Sequence, residues 1–172
     1  MTHIITNTSV IIKTDNYHVT INKKYFNKDL INYPIISELS FSDLKILWKD
    51  LYGIPKNVKD ILKKKVELHN SSSVIKSFIY GGKEYWLDKE NRNSLLNLSN
   101  SSLVDIDLVL GDEIISLSPL KLKSLLLKLE DYSHKCFVNT SRHLIAIKDL
   151  KHIEDIMSYD YTTGYPEKVI LE

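Results

Sequence analysis

The residues best suited to covalent chemistry lie close together near the middle of the second half of the chain. Cys136 has His134 two positions before it, and Asn139 and His143 follow it, which are the residue types of a thiol-protease site. On one helix, however, Cys136 and His143 would be separated by about 10.5 Å along the axis, whereas proton transfer needs about 3 Å. We therefore expect Cys136 to be a buried, apolar-like residue, His134 to lie at the surface, and His143 to be an interface or cap residue.

The acidic residues and histidines do not form a recognisable metal site. Asp105 and Asp107 are followed by Asp112 and Glu113, but the segment lacks the spacing and central glycine of a calcium-binding loop. The six histidines are scattered, with no pair one helical turn apart beside a glutamate. Gly81-Gly82 is not followed by Lys-Ser/Thr, as a phosphate-binding loop would require. We therefore expect no catalytic residue, no metal, no cofactor and no small-molecule substrate, and hence no enzyme.

A long helix is predicted to carry the Cys136 segment. Ser118 is a typical N-cap residue, and Pro119 suits the first helical position. Apolar residues then recur every three or four positions for nearly thirty residues, which predicts a helix over 118–148. This helix is the element on which the rest of the second half is expected to pack.

A β-hairpin is predicted upstream of this helix. Gly81-Gly82 is the pair in this chain best suited to a two-residue turn, and it joins strands predicted at 74–80 and 83–87. Further elements are a helix from Asp88 toward Asn100, strands at 103–110 and 113–117, and a turn-rich, aromatic terminal loop. The second half is thus predicted to be a β-hairpin or small antiparallel sheet packed on one long helix.

The first seventy residues predict a β-hairpin followed by a pair of helices. Residues 9–13 and 17–21 are rich in β-branched and aromatic residues and flank a Thr-Asp-Asn turn segment. Two amphipathic helices follow, one after Ser40 and one after Asn57. Together with the second half, these elements predict an α+β fold.

The charges divide the chain at a polar stretch, residues 69–73, which is the best candidate for a linker. The net charge is +1 over 172 residues, but residues 1–70 carry 11 Lys against 7 acids, and residues 71–172 carry 12 Lys and Arg against 15 acids. We therefore predict two modules, a basic docking module over 1–70 and an acidic domain over 71–172.

Recognition of nucleic acid is not expected. The net charge provides no attraction to a polyanion, and Arg92 and Arg142 are the only arginines. Lys63-Lys64-Lys65 would spread around a helix and not form one phosphate-facing stripe. A DNA-binding regulator built on residues 39–68 stays as an alternative, and it predicts salt-dependent binding to random duplex DNA.

The sequence predicts a soluble chain. No segment approaches the roughly 18 apolar residues that a membrane span needs, so we expect no contact with a membrane. The single cysteine cannot form an internal disulfide, which fits a reducing compartment.

Large aromatic side chains are the best candidates for a protein interface, because they bury much area while offering a polar tip. For the two tryptophans, burial in the core is the favoured interpretation, whereas for the tyrosines of the terminal loop both interpretations stay open. We also expect the N-terminal hairpin to pair through its edge with a neighbouring subunit. The candidate interface residues are Ile11, Val19, Trp48, Tyr52, Trp86, Tyr159, Tyr161 and Tyr165.

Three segments of the second half resemble a domain family of uncharacterised role that recurs in the tail and tail-fibre gene clusters of bacteriophages and prophages. They are FIYGGKEYWLDKENR at 78–92, LKLKSLLLKLEDY at 120–132 and YDYTTGYPE at 159–167. The likeness covers about the last hundred residues, and the long helix is rich in leucine and lysine where the compared members are rich in alanine.

The resemblance implies a non-enzymatic protein of the phage tail apparatus, made in the bacterial host cytoplasm and located in the virion tail. Its partners would be other tail or tail-fibre proteins and further copies of the chain. A structural role as a baseplate or tail-fibre attachment protein or adaptor is favoured, because a basic module joined to the family-like domain suits a connector. The alternative is a tail-fibre assembly chaperone that is not retained in the virion.

Overall fold

The chain forms two compact units, each assembled from two separate stretches of sequence. The computed structural model describes residues 1–7, 9–51, 53 and 56–171, without the side chains of residues 27, 28 and 50. Unit 1 comprises Met1–His69 and Ser141–Thr163, and unit 2 comprises Asn70–Thr140 and Gly164–Glu172. Compared with the modules expected at 1–70 and 71–172, residues 141–163 belong with the N-terminal elements.

The expected linker is partly helical. The helix α3 of unit 1 spans Val58–Ser71, so the first three residues of the stretch 69–73 form its last turn. The junction between His69 and Asn70 therefore lies within a helix and not in a flexible segment. Polar composition predicted a linker there, but the residues satisfy their backbone groups by continuing the helix.

A three-stranded antiparallel sheet opens unit 1. Its strands are β1 (Thr2–Ile5), β2 (Ser9–Lys13) and β3 (His18–Asn22), in the order β1-β2-β3. The predicted hairpin is confirmed as β2–β3, in which Ile12 pairs with Val19. The additional strand β1 makes β2 the central strand, and Val10 and Ile12 of β2 are fully buried.

The helices of unit 1 are α1 (Phe26–Asp29), α2 (Phe41–Leu51), α3 and α6 (Ile153–Ser158), with 3-10 turns at Lys23–Tyr25, Leu30–Asn32 and Pro34–Ser37. Ser40 caps α2, because the Asp43 backbone N–H donates to its hydroxyl at 3.0 Å, and the Asp43 carboxylate accepts from the Ser40 backbone N–H at 2.9 Å. The glycine and proline of Tyr52-Gly53-Ile54-Pro55 are typical of a helix end, and of this stretch only Gly53 lies within the described residues.

One apolar core joins the sheet and helices of unit 1. It includes fully buried side chains from β2, from the 3-10 turns and from α2 and α3, as well as Ile147 and Ile156 from the later stretch. Burial of these two side chains against the N-terminal elements explains why residues 141–163 belong to unit 1.

Unit 2 contains the predicted second hairpin, formed by β4 (Phe78–Tyr80) and β5 (Lys83–Tyr85). Gly81 and Gly82 have φ values of 56° and 80°, which a two-residue turn of this kind requires at both positions. A short strand, β8 (Ile170–Leu171), pairs in parallel with β4, which gives the order β5-β4-β8. The strands are shorter than predicted, and β8 was not predicted.

The remaining elements of unit 2 are α4 (Lys89–Ser101), β6 (Ile106–Leu110), β7 (Glu113–Leu117) and α5 (Pro119–Asp149), whose last turns belong to unit 1. Asp88 caps α4 through a 2.8 Å bond from the Asn91 backbone N–H. The prediction of α4 and of a long helix over 118–148 is confirmed, and the fold is α+β as predicted. No helix in the described part of the chain is long and apolar enough to cross a bilayer.

Candidate functional site

Cys136 lies in an apolar cluster of unit 2 and is 4% exposed. It contacts the cluster formed with Ile75 and Tyr132, and the Tyr132 hydroxyl donates to the Ile75 carbonyl at 2.7 Å. Burial raises the pKa of the Cys136 thiol, which keeps the sulfur protonated and therefore poorly nucleophilic. His134 is exposed on the same helix. This geometry supports a structural role for Cys136.

His143 of unit 1 is buried, and both of its ring nitrogens are engaged. Nδ1 lies 2.8 Å from the Tyr159 hydroxyl oxygen, and Nε2 lies 3.0 Å from the Thr163 carbonyl oxygen. Because a carbonyl oxygen only accepts, Nε2 carries the proton, and in the neutral ring Nδ1 accepts from Tyr159. His143 thus fastens the segment after α6 to the end of α5, which agrees with the expected cap-like role and not with that of a catalytic base.

The other two tyrosines of the terminal loop also make contacts inside their own units. The Tyr161 ring lies edge-on to the His69 imidazole in unit 1, with ring centroids 5.7 Å apart. The Tyr165 hydroxyl lies 3.0 Å from the Thr140 hydroxyl in unit 2. All three loop tyrosines are half-buried, so they hold the loop in place and keep only part of their surface for a partner.

The two tryptophans differ in exposure. Trp48 is fully buried in the core of unit 1, which makes it a core residue and removes it from the interface candidates. Trp86 is half-buried in unit 2, beneath the Arg92 guanidinium at 5.0 Å from the ring centroid. Tyr52 lies outside the described residues.

The N-terminal hairpin does not offer the edge that was expected at Ile11. Ile11 lies on β2, whose two sides are occupied by β1 and β3, so its backbone is not available to a neighbouring subunit. Val19 lies on β3, an edge strand, and is half-buried against the core of unit 1. The unpredicted strand β1 is the reason for this correction.

Two buried cations were not anticipated from the sequence. Lys65 is 4% exposed, and its ammonium donates to the carbonyl oxygens of Ile36, at 2.7 Å, and Leu39. Burial lowers the pKa of Lys65 to about 8, against the opposing attraction of Asp43. The three consecutive lysines were expected to spread around a helix, and Lys65 is the one whose position on α3 is directed inward.

Arg92 is the second buried cation, 4% exposed at the start of α4. Its guanidinium donates to the Glu130 carboxylate at 3.1 Å, to the Ser133 hydroxyl at 3.3 Å and to the Leu87 carbonyl oxygen. The planar fork therefore ties the hairpin exit and α4 to α5 within unit 2. The rarity of arginine in this chain was the one sequence signal that could have drawn attention to it.

The most exposed apolar surface lies on the β6–β7 ribbon and the residues beside it. Five of the fifteen exposed large apolar side chains among the described residues fall within residues 103–120. Val109 and Ile114 pair across the outer face of the ribbon and are 59% and 69% exposed. The others are Leu103 (99%), Val104 (72%) and Leu120 (79%).

This ribbon is also acidic and has an open edge. Residues 102–118 contain four acids and no Lys, Arg or His. Within the described residues β6 pairs with β7 alone. The β7 side begins next to β5, because Lys83 forms an ion pair with Glu113 and the Tyr85 hydroxyl donates to the same carboxylate at 3.1 Å. The outer backbone edges of β6 and β7 both lack a strand partner among the described residues, and side chains of β5 contact the start of β7.

A groove of about 650 Å³ on unit 2 is bordered by Leu117, the last residue of β7. Its apolar wall includes Ile170 and Leu171 of β8, the edge strand of its sheet. Its other wall is the first part of α5, where Lys121 and Lys128 flank Ser124. Neither lysine bonds a carboxylate in the described part of the chain. A volume of this size is in the range of ordinary ligand and peptide sites.

The described residues hold no group of three or more histidines, cysteines or acids able to bind a metal ion. The chain matched no protein-family model, no curated protein and no solved structure. The resemblance to the phage-tail family therefore stays a prediction.

Proposed function

We propose that this chain is a non-enzymatic structural protein of a bacteriophage tail, which acts by binding other tail proteins as a baseplate or tail-fibre attachment protein or adaptor. The clustered apolar exposure on the acidic β6–β7 ribbon carries the binding role, because solvent-facing Leu, Ile and Val at this density are costly unless a partner covers them. The tail location rests on the resemblance of the segments at 78–92, 120–132 and 159–167.

The chemistry-bearing side chains support a binding role more than an enzymatic one. The Cys136 thiol is buried and kept protonated, and the His143 nitrogens are engaged by Tyr159 and Thr163. The N–H groups of Arg92 and Lys65 donate hydrogen bonds to carbonyl and carboxylate groups of the same chain. These groups stabilise the two units and leave the surface to make contacts.

Quantitative mass spectrometry of gradient-purified virions tests this proposal. A structural protein is expected in mature particles at a constant ratio to the major tail proteins. If the chain is absent from particles but co-purifies with fibre subunits from infected cells, the structural proposal is overturned in favour of an assembly chaperone. Absence from both would overturn the tail assignment altogether.

A further inference from the structure

We propose that unit 2 binds a second copy of this chain head to tail, with the β6 edge of one copy lying along the groove between β8 and α5 of the next. Both surfaces lie on the same unit: the groove is bordered by Leu117 of β7, and the strand is β6, which pairs with β7. The strand is acidic and apolar, and the groove is basic and apolar.

The strand side combines an open edge with alternating side chains. Ile106, Leu108 and Leu110 point into the core of unit 2, whereas Asp107 and Val109 face solvent. Asp105, just before the strand, is also exposed, and neither aspartate pairs with a described cation. Addition of this strand to another sheet would satisfy its outer N–H and C=O groups and cover Val109.

The groove side offers a matching edge and matching charges. Within the described residues β8 pairs with β4 alone, so its other side is open to an added strand. Ile170 is 68% exposed at this edge and offers an apolar contact for Val109. Lys121 and Lys128 are two helical turns apart, about 10.5 Å along α5.

The spacing of charges is compatible with simultaneous pairing. Asp105 and Asp107 are two residues apart on an extended chain, which separates them by about 7 Å. The four-carbon stems of Lys121 and Lys128 can close the remaining few ångströms to reach one carboxylate each. Like charge disfavours the alternative pairing of two acidic β6 edges with each other.

The proposed contact is heterologous, so it does not stop at two copies. A bound copy still presents its own β6 edge or its own groove, and association continues until a ring closes or a filament grows. Self-association of the purified chain is independent of whether the protein belongs to a phage tail.

Sedimentation velocity on the purified full-length chain tests the contact. The wild-type chain is expected to form oligomers that grow with concentration and weaken with salt. The variants Asp105→Lys/Asp107→Lys and Lys121→Glu/Lys128→Glu are each expected to associate at least roughly tenfold more weakly. The control Lys123→Glu/Lys135→Glu changes two lysines of the same helix that do not line the groove, and it should associate as the wild type does.

Mixing the two variants gives the sharpest result. The aspartate variant keeps an intact groove, the lysine variant keeps an intact strand, and the reversed strand of the first is complementary to the reversed groove of the second. An equimolar mixture is therefore expected to form growing oligomers that neither variant forms alone. A chain with all four reversals should regain self-association. A wild-type chain that stays monomeric up to millimolar concentration, or variants that associate like the wild type, would overturn the proposal. If the aspartate variant does not fold by circular dichroism, the lysine variant and its control decide the question.

Discussion

The imidazole of His143 and the phenol of Tyr159 are joined by a 2.8 Å hydrogen bond, and their rings meet at 85° with centroids 5.6 Å apart. With Nε2 bonded to the Thr163 carbonyl oxygen, His143 holds two points of the segment that follows α6. The pair therefore explains how residues 159–163 are held at the end of the long helix in unit 1.

Replacement of Tyr159 by Phe removes the hydroxyl and leaves the buried Nδ1 of His143 without this donor. We expect the free energy of unfolding to fall by about 1–2 kcal/mol, measured by urea denaturation. Tyr161→Phe is the matched control, because its hydroxyl bonds no described residue and the edge-on contact with His69 is kept. Equal stability of the Tyr159→Phe variant and the wild type would contradict the account of this pair.

The stability of unit 1 is expected to fall as the pH drops below about 6.5. In the folded chain burial lowers the pKa of His69, and His143 lowers it further, against the opposing effect of Asp160. The unfolded chain therefore takes up a proton at a higher pH than the folded chain, and acid favours unfolding. Chemical denaturation between about pH 7.5 and about pH 5.5 measures this slope.

His69→Gln should reduce this pH dependence, because Gln does not titrate. His134→Gln removes an exposed histidine of α5 and is expected to keep the wild-type slope. Identical slopes for the wild type and His69→Gln would show that another group titrates.

Replacement of Arg92 by Lys is not conservative in this structure. A lysine ammonium cannot donate in the plane of the fork to Leu87, Glu130 and Ser133 at once, and it stacks less well on Trp86. We expect a loss of about 2–3 kcal/mol in the free energy of unfolding, whereas Arg142→Lys, at an exposed position, should change it by less than about 0.5 kcal/mol. Near-equal losses at the two sites would refute the structural role of Arg92.

Lys65 gives a pH dependence of the same direction at alkaline pH. Because burial lowers its pKa to about 8 in the folded chain, the folded state releases this proton before the unfolded state does, and stability rises between about pH 8 and about pH 10. The Lys65→Met variant should lose this rise. The Lys64→Met variant should keep it, because the Lys64 ammonium that it removes lies 3.9 Å from the Glu67 carboxylate. The slope of stability against pH is the measurement, and a rise retained in Lys65→Met would contradict the account.

The elements with strong local signals could be predicted from the sequence. Gly81-Gly82, the Asp88 cap and the Ser118-Pro119 start each fix a backbone conformation through neighbouring residues alone, and the corresponding hairpin and helices are found near the predicted positions. Periodic apolar residues likewise gave the length of α5.

Long-range contacts could not be predicted in this way. Strand β1 is recognisable only once β2 is available to pair with it, and β8 is two residues that depend on β4. Residues 141–163 belong to unit 1 because of the face of α5 that carries Ile147. The exposure of Val109 and Ile114 depends on which face of the ribbon the core of unit 2 covers. These features depend on tertiary packing, which composition and residue spacing do not specify.

Counting the chain in purified virions tests whether it acts in a phage tail through the β6–β7 ribbon, as proposed above. Particles are compared from cells supplying the wild type, Val109→Lys or Ile4→Lys; Ile4 is 62% exposed in unit 1 and is the matched control. The wild type and Ile4→Lys are expected in virions at equal copy number, and Val109→Lys is expected to be depleted at least roughly tenfold although it is folded. Virions without the wild-type chain, or with undiminished Val109→Lys, would contradict the claim.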